Sequence, residues 1–311
     1  MDFGRLTNVD HVDFALPADP PETLRVLGGQ KRRRAPVVLI GTPRFADRGF
    51  LGKIYPRGTP PNRYLDEYAR SFSAIELNST YYGVRPEAIA HWCSLVPDTF
   101  RFCPKFPQEI SHQKELRDAD AETEAFFGAI AGFGRRLGPA WLVLPPSFGP
   151  RQLPSLIDYL ARHAARGPMA IEFRHEGWFR DTGAWRDAMQ VLEAHEVATI
   201  VTDVAGRRDA AHMRLTTSWA FVRFAGNRLH PTDFSRLDRW CERFVRWFGE
   251  GLRTLHLFLH QPDEHLCVEL AEHVATRLFE LGRIEVPRPR RVVSAVQGSL
   301  FDGPKAAAGD A

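Results

Sequence analysis

From Pro36 onward the chain repeats one rhythm: short apolar or alternating runs of strand length, with amphipathic stretches of helical length between most of them. The strand-like runs are VVLIGTP (37–43), AIELN (74–78), FRFCPKF (100–106), AWLVLPP (140–146), MAIEFR (169–174), ATIVTD (198–203), WAFVRFAG (219–226) and TLHLFLHQ (254–261). Helices are predicted near 62–72, 86–94, 120–136, 153–163, 183–194, 233–249 and 265–282. The stretch VAGRRDAAHMRLTTS between Asp203 and Trp219 carries no helical period.

Strands that alternate with helices require right-handed crossovers and a parallel sheet, and eight such units close a (β/α)8 barrel. The fold class expected is therefore α/β, a TIM-type barrel. A doubly wound open sheet is the competing arrangement. Its dinucleotide fingerprint is missing, because the first strand runs into GTPRFADRGF instead of G-x-G-x-x-G. The organisation expected is an irregular extension over 1–35, one barrel domain over 36–283 and a flexible tail over 284–311. The extension ends in the basic run Lys31 to Arg34, which reads as a solvated loop.

Composition narrows the class. With 44% apolar and 25% charged residues in 311, the chain can bury a sizeable core, and whole-chain disorder is excluded. Lys+Arg 41 against Asp+Glu 38 is too balanced for a protein that coats nucleic acid by charge alone. Cys93, Cys103, Cys241 and Cys267 form no C-x-x-C pair and are too few for a disulfide framework, so they read as reduced thiols. No apolar run nears the roughly 20 residues of a membrane span, and MDFGRLTNVDHVDFALP lacks the features of a secretory signal. A cytoplasmic protein with no membrane partner is expected.

Polar groups collect where a parallel barrel does its chemistry, at the C-terminal ends of the strands. The second strand ends in Glu76 and Asn78, followed by Tyr81 and Tyr82; the third ends at Lys105, with His112 on the loop beyond. The fifth ends in Glu172, Arg174 and His175, with Trp178 further on, and the sixth at Asp203. The seventh carries Arg223 and Asn227, and the eighth ends in His260 and Gln261. Ionisable groups inside apolar strands are costly to bury unless paired, so their gathering at one rim points to a site, with an ion pair closing the barrel mouth as the alternative for any single member. Glu76, Glu172, Asp203, His112, His175 and His260 are types that ligate divalent metals. Lys105, Arg174 and Arg223 would repel such a cation and suit a phosphate or carboxylate instead, so a divalent metal is admissible but disfavoured and the cofactor is left open. Glu172 or Glu76 would act as general base or metal ligand and His112 or His175 as proton donor, while Asn78, Tyr81, Trp178, Asn227 and His260 complete the substrate contacts.

Read in order, these blocks resemble the YecE-like family, catalogued as domain of unknown function 72, from about Val37 to Leu281. The matching stretches are IYP (54–56), IELNSTYY (75–82), Trp92 with VPDTFRFCPKFPQEISH (96–112), LGPAWLVLPPSF (137–148), AIEFRHEGWF (170–179), VTDVAG (201–206), FVRFAGN (221–227) and FLHQ (258–261). The resemblance implies a TIM-type barrel and a site built from Glu76, Asn78, Lys105, His112, Glu172, Arg174, His175, Asp203 and Arg223, and it carries no settled reaction. Departures are GTPRF where many members read G-T-S-G-W, and His260-Gln261 where many have an asparagine pair.

Beyond Gly282 the chain turns to RIEVPRPRRVVSAVQGSLFDGPKAAAGDA, which reads as mobile. Within it QGSLF resembles the peptides by which bacterial replication and repair enzymes bind the sliding clamp, with Gln297 and Ser299 as polar contacts and Leu300 and Phe301 as apolar anchors. Folding of the apolar pair back onto the barrel is the alternative. The function expected is a hydrolase or isomerase acting on an anionic, phosphate-bearing substrate such as a nucleotide or nucleic acid, tied to replication or repair by its tail. The alternatives are an isomerase or hydrolase of a small phosphorylated metabolite or organic acid, and a non-catalytic adaptor.

Overall fold

Each of the eight apolar runs forms a parallel strand in the computed structural model, which describes residues 3–28 and 35–292. The strands are β1 (Val37–Thr42), β2 (Ala74–Leu77), β3 (Arg101–Pro104), β4 (Ala140–Leu144), β5 (Met169–Phe173), β6 (Ala198–Asp203), β7 (Trp219–Ala225) and β8 (Thr254–His260). Their order is β3-β2-β1-β8-β7-β6-β5-β4. The two ends of that order meet through isolated parallel bridges, Phe102 with Leu137 and Lys105 with Trp141. At this seam the Gly138 N–H donates to the Phe102 carbonyl at 2.8 Å and the Phe106 N–H to the Trp141 carbonyl at 2.9 Å. The TIM-type barrel expected from the strand count is thus the fold found.

Period two sorts each strand into an inner and an outer face. Ala74, Cys103, Trp141, Val143, Ala170, Ala198, Ile200, Phe221 and Phe258 form the inner cluster. Their strand neighbours Ile75, Phe102, Leu142, Ile171, Val201, Val222 and Leu257 belong to the larger outer cluster under the helices. Burial on both faces explains why the runs read as almost continuously apolar. Gly41 on β1 is required by closeness: a Cβ there would stand 2.3 Å from the Ala74 carbonyl oxygen and 3.0 Å from the Phe258 ring.

The crossover helices are α2 (Tyr64–Ala69), α3 (Pro86–Leu95), α4 (Asp120–Ile130), α5 (Leu153–His163), α7 (Thr182–Ala194), α8 (Pro231–Glu250) and α9 (Cys267–Gly282), with the short α6 (Gly177–Arg180) after β5. Between β6 and β7 there is only a 3-10 turn, Arg208–Ala210, where no helical period is written. The N-terminal extension covers that place. Val9 and Phe14 pack on Ala205, the Gly206 N–H donates to the Gly4 carbonyl at 2.7 Å, and the Phe14 ring lies 4.4 Å from the Arg236 guanidinium. Asp19 accepts from Arg243 at 2.6 Å and from the Trp247 indole at 3.0 Å, and a helix follows, α1 (Pro21–Gly28). The expectation of a wholly irregular extension is corrected accordingly. The basic run Lys31 to Arg34 lies outside the described residues.

The start of the expected tail is also docked. Ile284 is buried, the Arg290 N–H donates to the Ser71 hydroxyl at 3.1 Å, and the Val292 N–H donates to the Lys53 carbonyl at 2.8 Å. Arg291 pairs with Glu272 at 2.6 Å and Glu269 at 3.2 Å. The reading of 284–311 as mobile is therefore corrected over 284–292, and QGSLF lies outside the described residues. No helix among the described residues is long and apolar enough to cross a membrane.

Gly41→Ala is expected to cost about 1–3 kcal/mol by overpacking. Gly249→Ala, whose Cβ meets open space near the end of α8, should be neutral or stabilising by up to about 1 kcal/mol. Urea unfolding of both variants checks this; equal effects would contradict the account of the β1–β2 contact.

Candidate functional site

The inner parity continues past the apolar core into charge. Two residues beyond an inner-cluster residue stand Glu76 after Ala74, Lys105 after Cys103, Glu172 after Ala170, Arg223 after Phe221 and His260 after Phe258. Two further positions place Asn78 and Arg174 above them. Strand parity thus aims Glu76, Lys105, Glu172, Arg223 and His260 into the mouth of the barrel, and Asn78 and Arg174, just past the strand ends, line the same cleft.

Arg223 is the centre of the set. Its Nε donates to Glu76 Oε2 at 2.9 Å and one Nη to Glu76 Oε1 at 3.0 Å, while the other Nη donates to Glu172 Oε2. Its guanidinium carbon lies 4.8 Å from the Trp141 ring. Arg174 Nε donates to Glu172 Oε1 at 2.6 Å, His260 Nε2 donates to Glu76 Oε2 at 3.0 Å, and the Asn78 amide donates to Glu76 Oε1 at 3.2 Å. Every oxygen of both carboxylates already accepts at least one hydrogen bond.

Electrostatics follow from this pairing. Burial alone would raise both carboxyls, but Arg174 and Arg223 outweigh it and bring Glu172 down to about 2. Arg223 and His260 likewise hold Glu76 well below the usual carboxylate range. Burial lowers His260 against the pull of Glu76, so it is neutral near pH 7.

Lys105 differs from all of these. Its Nζ makes no hydrogen bond or ion pair among the described residues and lies 4.1 Å from the Tyr81 ring centre and 5.0 Å from that of Trp141. Burial first, then the charges of Arg223 and Arg174, bring its ammonium down to about 8 against the opposing pull of Glu76 and Glu172. Its backbone is fixed on both sides: the Lys105 N–H donates to the Leu77 carbonyl at 3.1 Å, and its carbonyl accepts from Thr80 Oγ1 at 2.7 Å.

Glu76, Asn78, Lys105, Arg174, Arg223 and His260 line one cleft of about 660 Å³. Tyr82, expected beside the second strand end, lines it too, and its walls add residues the strand ends did not indicate: Arg44, Phe45, Trp92 and Glu264, with Phe3 of the extension stacked 4.8 Å from the Arg174 guanidinium. Glu264 is buried beside the Cys267 thiol, and burial lifts its carboxyl to about 7 against the pull of Arg44. Its place in the loop after β8, two residues beyond Pro262, was the available signal.

Other expected residues lie elsewhere. Asp203 has the opposite parity from the rim set: it points outward from β6 and is held by Arg236 at 2.8 Å, by the Trp240 indole at 2.7 Å and by Arg208. Its expected part in the rim chemistry is corrected to anchoring α8 on the barrel. Trp178 is corrected likewise, being fully buried with its indole donating to the Phe148 carbonyl at 2.8 Å. His175 accepts from the Gly177 N–H at 2.8 Å, its ring held so close to Gly149 that a Cβ there would stand at 2.9 Å. Asn227 is tied to Asp233, its N–H donating at 2.7 Å, and borders a small separate pocket shared with His260. His112 packs edge-on to the Tyr81 ring, and burial with the charges of Lys105 and Arg174 lowers it to about 4, so near neutrality it is the neutral imidazole. No trio of His, Cys, Asp or Glu among the described residues stands as a metal-ligating group.

A nearly closed parallel barrel with a paired-charge floor and, among the described residues, a lysine without a salt-bridge partner at its rim defines a TIM-type barrel protein. The chain belongs to the DUF72 family, described as "Protein of unknown function DUF72", whose family model matches residues 39–291. It is 31% identical over 243 residues to the UPF0759 protein YecE of Escherichia coli K12, covering 71% of this chain and 89% of that protein. It is 25% identical over 151 residues to the UPF0759 protein YunF of Bacillus subtilis, covering 46% of this chain and 52% of that one. A crystal structure of a DUF72 family protein from Enterococcus faecalis superposes with a TM-score of 0.59 at 16% identity, over 83% of this chain and 100% of that one, a likeness of fold.

Arg223→Met would leave the buried Glu76 without its cation and Glu172 with Arg174 alone, and a loss of about 3–5 kcal/mol in urea unfolding is expected; a loss under about 1 kcal/mol would contradict the pairing. Because the folded Glu172 carboxyl is depressed, its stabilising contribution is present above the ordinary carboxylate value of 4.5 and disappears as pH falls toward about 2. Glu172→Gln should flatten the acid limb of the stability profile across that window.

Proposed function

We propose that the rim cleft binds a small anionic substrate, phosphorylated or carboxylated, and that the chain is an enzyme acting on it by proton-transfer chemistry, as an isomerase or hydrolase. The observation that carries this is the charge balance. Arg223 and Arg174 are matched by Glu76 and Glu172, so the cation of Lys105 is surplus, and Arg44 lines the same cleft. A volume of about 660 Å³ suits a metabolite or a nucleotide. In this reading Lys105 and Arg174 hold the anion, as a point charge and a planar donor. Glu76 and Glu172, with every oxygen engaged, fix the Arg223 guanidinium and do not serve as bases. The groups poised to exchange protons near neutrality are Lys105, at about 8, and Glu264, at about 7.

Titration calorimetry with inorganic phosphate, nucleotides and phosphorylated metabolites tests it. At least one should bind, and Lys105→Met or Arg174→Met should each weaken it about tenfold or more, the worth of one charge-assisted hydrogen bond. Absence of binding by every anion, or unchanged affinity in the double variant, would remove the site. Binding without turnover of any bound compound would favour an adaptor.

A second reading, action on nucleic acid with recruitment by the tail, rests on the sequence of Gln297 to Phe301 alone. A peptide spanning 292–311 should bind a bacterial sliding clamp, and Leu300→Ala with Phe301→Ala should abolish the signal. Equal and negligible binding of both peptides would end this reading.

A further inference from the structure

We infer that Lys105 is a nucleophilic amine that forms a Schiff base with the carbonyl group of an anionic oxo compound, an oxo acid or a phosphorylated ketone or aldehyde, held at the barrel rim. This rests on the anion-binding reading of the same cleft and assigns that cleft a substrate class.

The geometry sets Lys105 apart from the other described lysines. Lys53 donates to the His265 carbonyl at 2.6 Å and to Glu269 at 2.7 Å. Lys114 donates to Glu122 at 2.6 Å and to the Asp118 carbonyl at 2.8 Å. Among the described residues Lys105 Nζ has no hydrogen-bond or ion-pair partner and lies over the faces of Tyr81 and Trp141, which draw a cation but accept no proton from it. The two carboxylates within reach of its charge are occupied by Arg223 and Arg174, and those guanidiniums oppose an ammonium beside them. Burial with cationic neighbours is the environment that activates a lysine as a nucleophile. With the ammonium at about 8, roughly a tenth of the molecules present a free amine at pH 7. A residue that only had to hold an anion would gain nothing from losing its proton.

The step balances without a co-reactant. The amine lone pair attacks the carbonyl carbon, a C–N bond forms, and one proton passes from the nitrogen to the carbonyl oxygen to give a carbinolamine. A second proton on that hydroxyl lets water leave as the C–O bond breaks, giving an iminium. The net change is ammonium plus carbonyl to iminium plus water. Arg174 holds the anionic end of the substrate, and Glu264 of the same cleft wall, or water, carries the protons.

The full chain is incubated at neutral pH with sodium cyanoborohydride and either pyruvate or dihydroxyacetone phosphate, then digested and mapped by mass spectrometry. The peptide carrying Lys105 should acquire the reduced secondary-amine adduct about tenfold faster, or more, than the peptides carrying Lys53 and Lys114. The preferred probe distinguishes a carboxylate from a phosphate substrate, and neutral dihydroxyacetone should react more slowly than either. Lys105→Arg should abolish the adduct at that position. Labelling of Lys105 by both probes no faster than of Lys53 and Lys114 overturns the covalent role. If phosphate still binds in that case, the anion site stands and only the Schiff base falls; if phosphate binding is also absent, both fall.

Discussion

Inside the mouth of the barrel a guanidinium with 3% of its side chain exposed lies between two carboxylates that water does not reach. Ion pairs in such a place are not efficient sources of stability, because both charges lose their hydration and regain it only through geometry. The geometry here is complete. Arg223 spends its planar fork on Glu76 and turns its remaining Nη to Glu172, while Arg174, His260 and Asn78 close the remaining acceptors. β2, β5, β7 and β8 all contribute, so the charged layer ties together strands that are not sequence neighbours.

That layer decides what the cleft above it can do. Carboxylates with free oxygens would have neutralised Lys105 and held it as a structural ion pair. Committed to Arg223, they leave the lysine to two aromatic faces and two opposing guanidiniums. The seam adds a second constraint. β3 and β4 meet only through isolated bridges, one of them at Lys105 itself, and the backbone there is fixed by Leu77, Thr80 and Trp141. A long and flexible side chain is thereby rooted in a rigid place, with its ammonium over the Tyr81 and Trp141 rings.

The fold was legible because period-two burial writes itself into eight strands, and the crossovers carry strong helical periods. What escaped was written in packing between distant segments. The segment before α1 packs on the loop after β6 through Val9 and Phe14, and α1 is tied to the same loop where Thr23 Oγ1 donates to the Met213 carbonyl. Residues 284–292 look like tail in composition, yet their backbone N–H groups donate to the Ser71 hydroxyl and the Lys53 carbonyl. The site was legible in outline, since polar strand ends mark the rim, but parity sharpens it: Glu76, Lys105, Glu172, Arg223 and His260 continue the inner face, and Asp203 continues the outer one. That distinction stands in the sequence, one residue of register apart. Glu264 and Arg44 belong to loops, whose path the strand pattern does not encode.

The Arg223 clamp leaves Lys105 without an ion-pair partner among the described residues and easily deprotonated. An NMR titration of the chain with isotopically labelled lysine side chains, Lys105 being assigned by its loss in Lys105→Arg, measures this directly. The account predicts a midpoint near 8 for Lys105. A midpoint at the ordinary lysine value of 10.5 would contradict it.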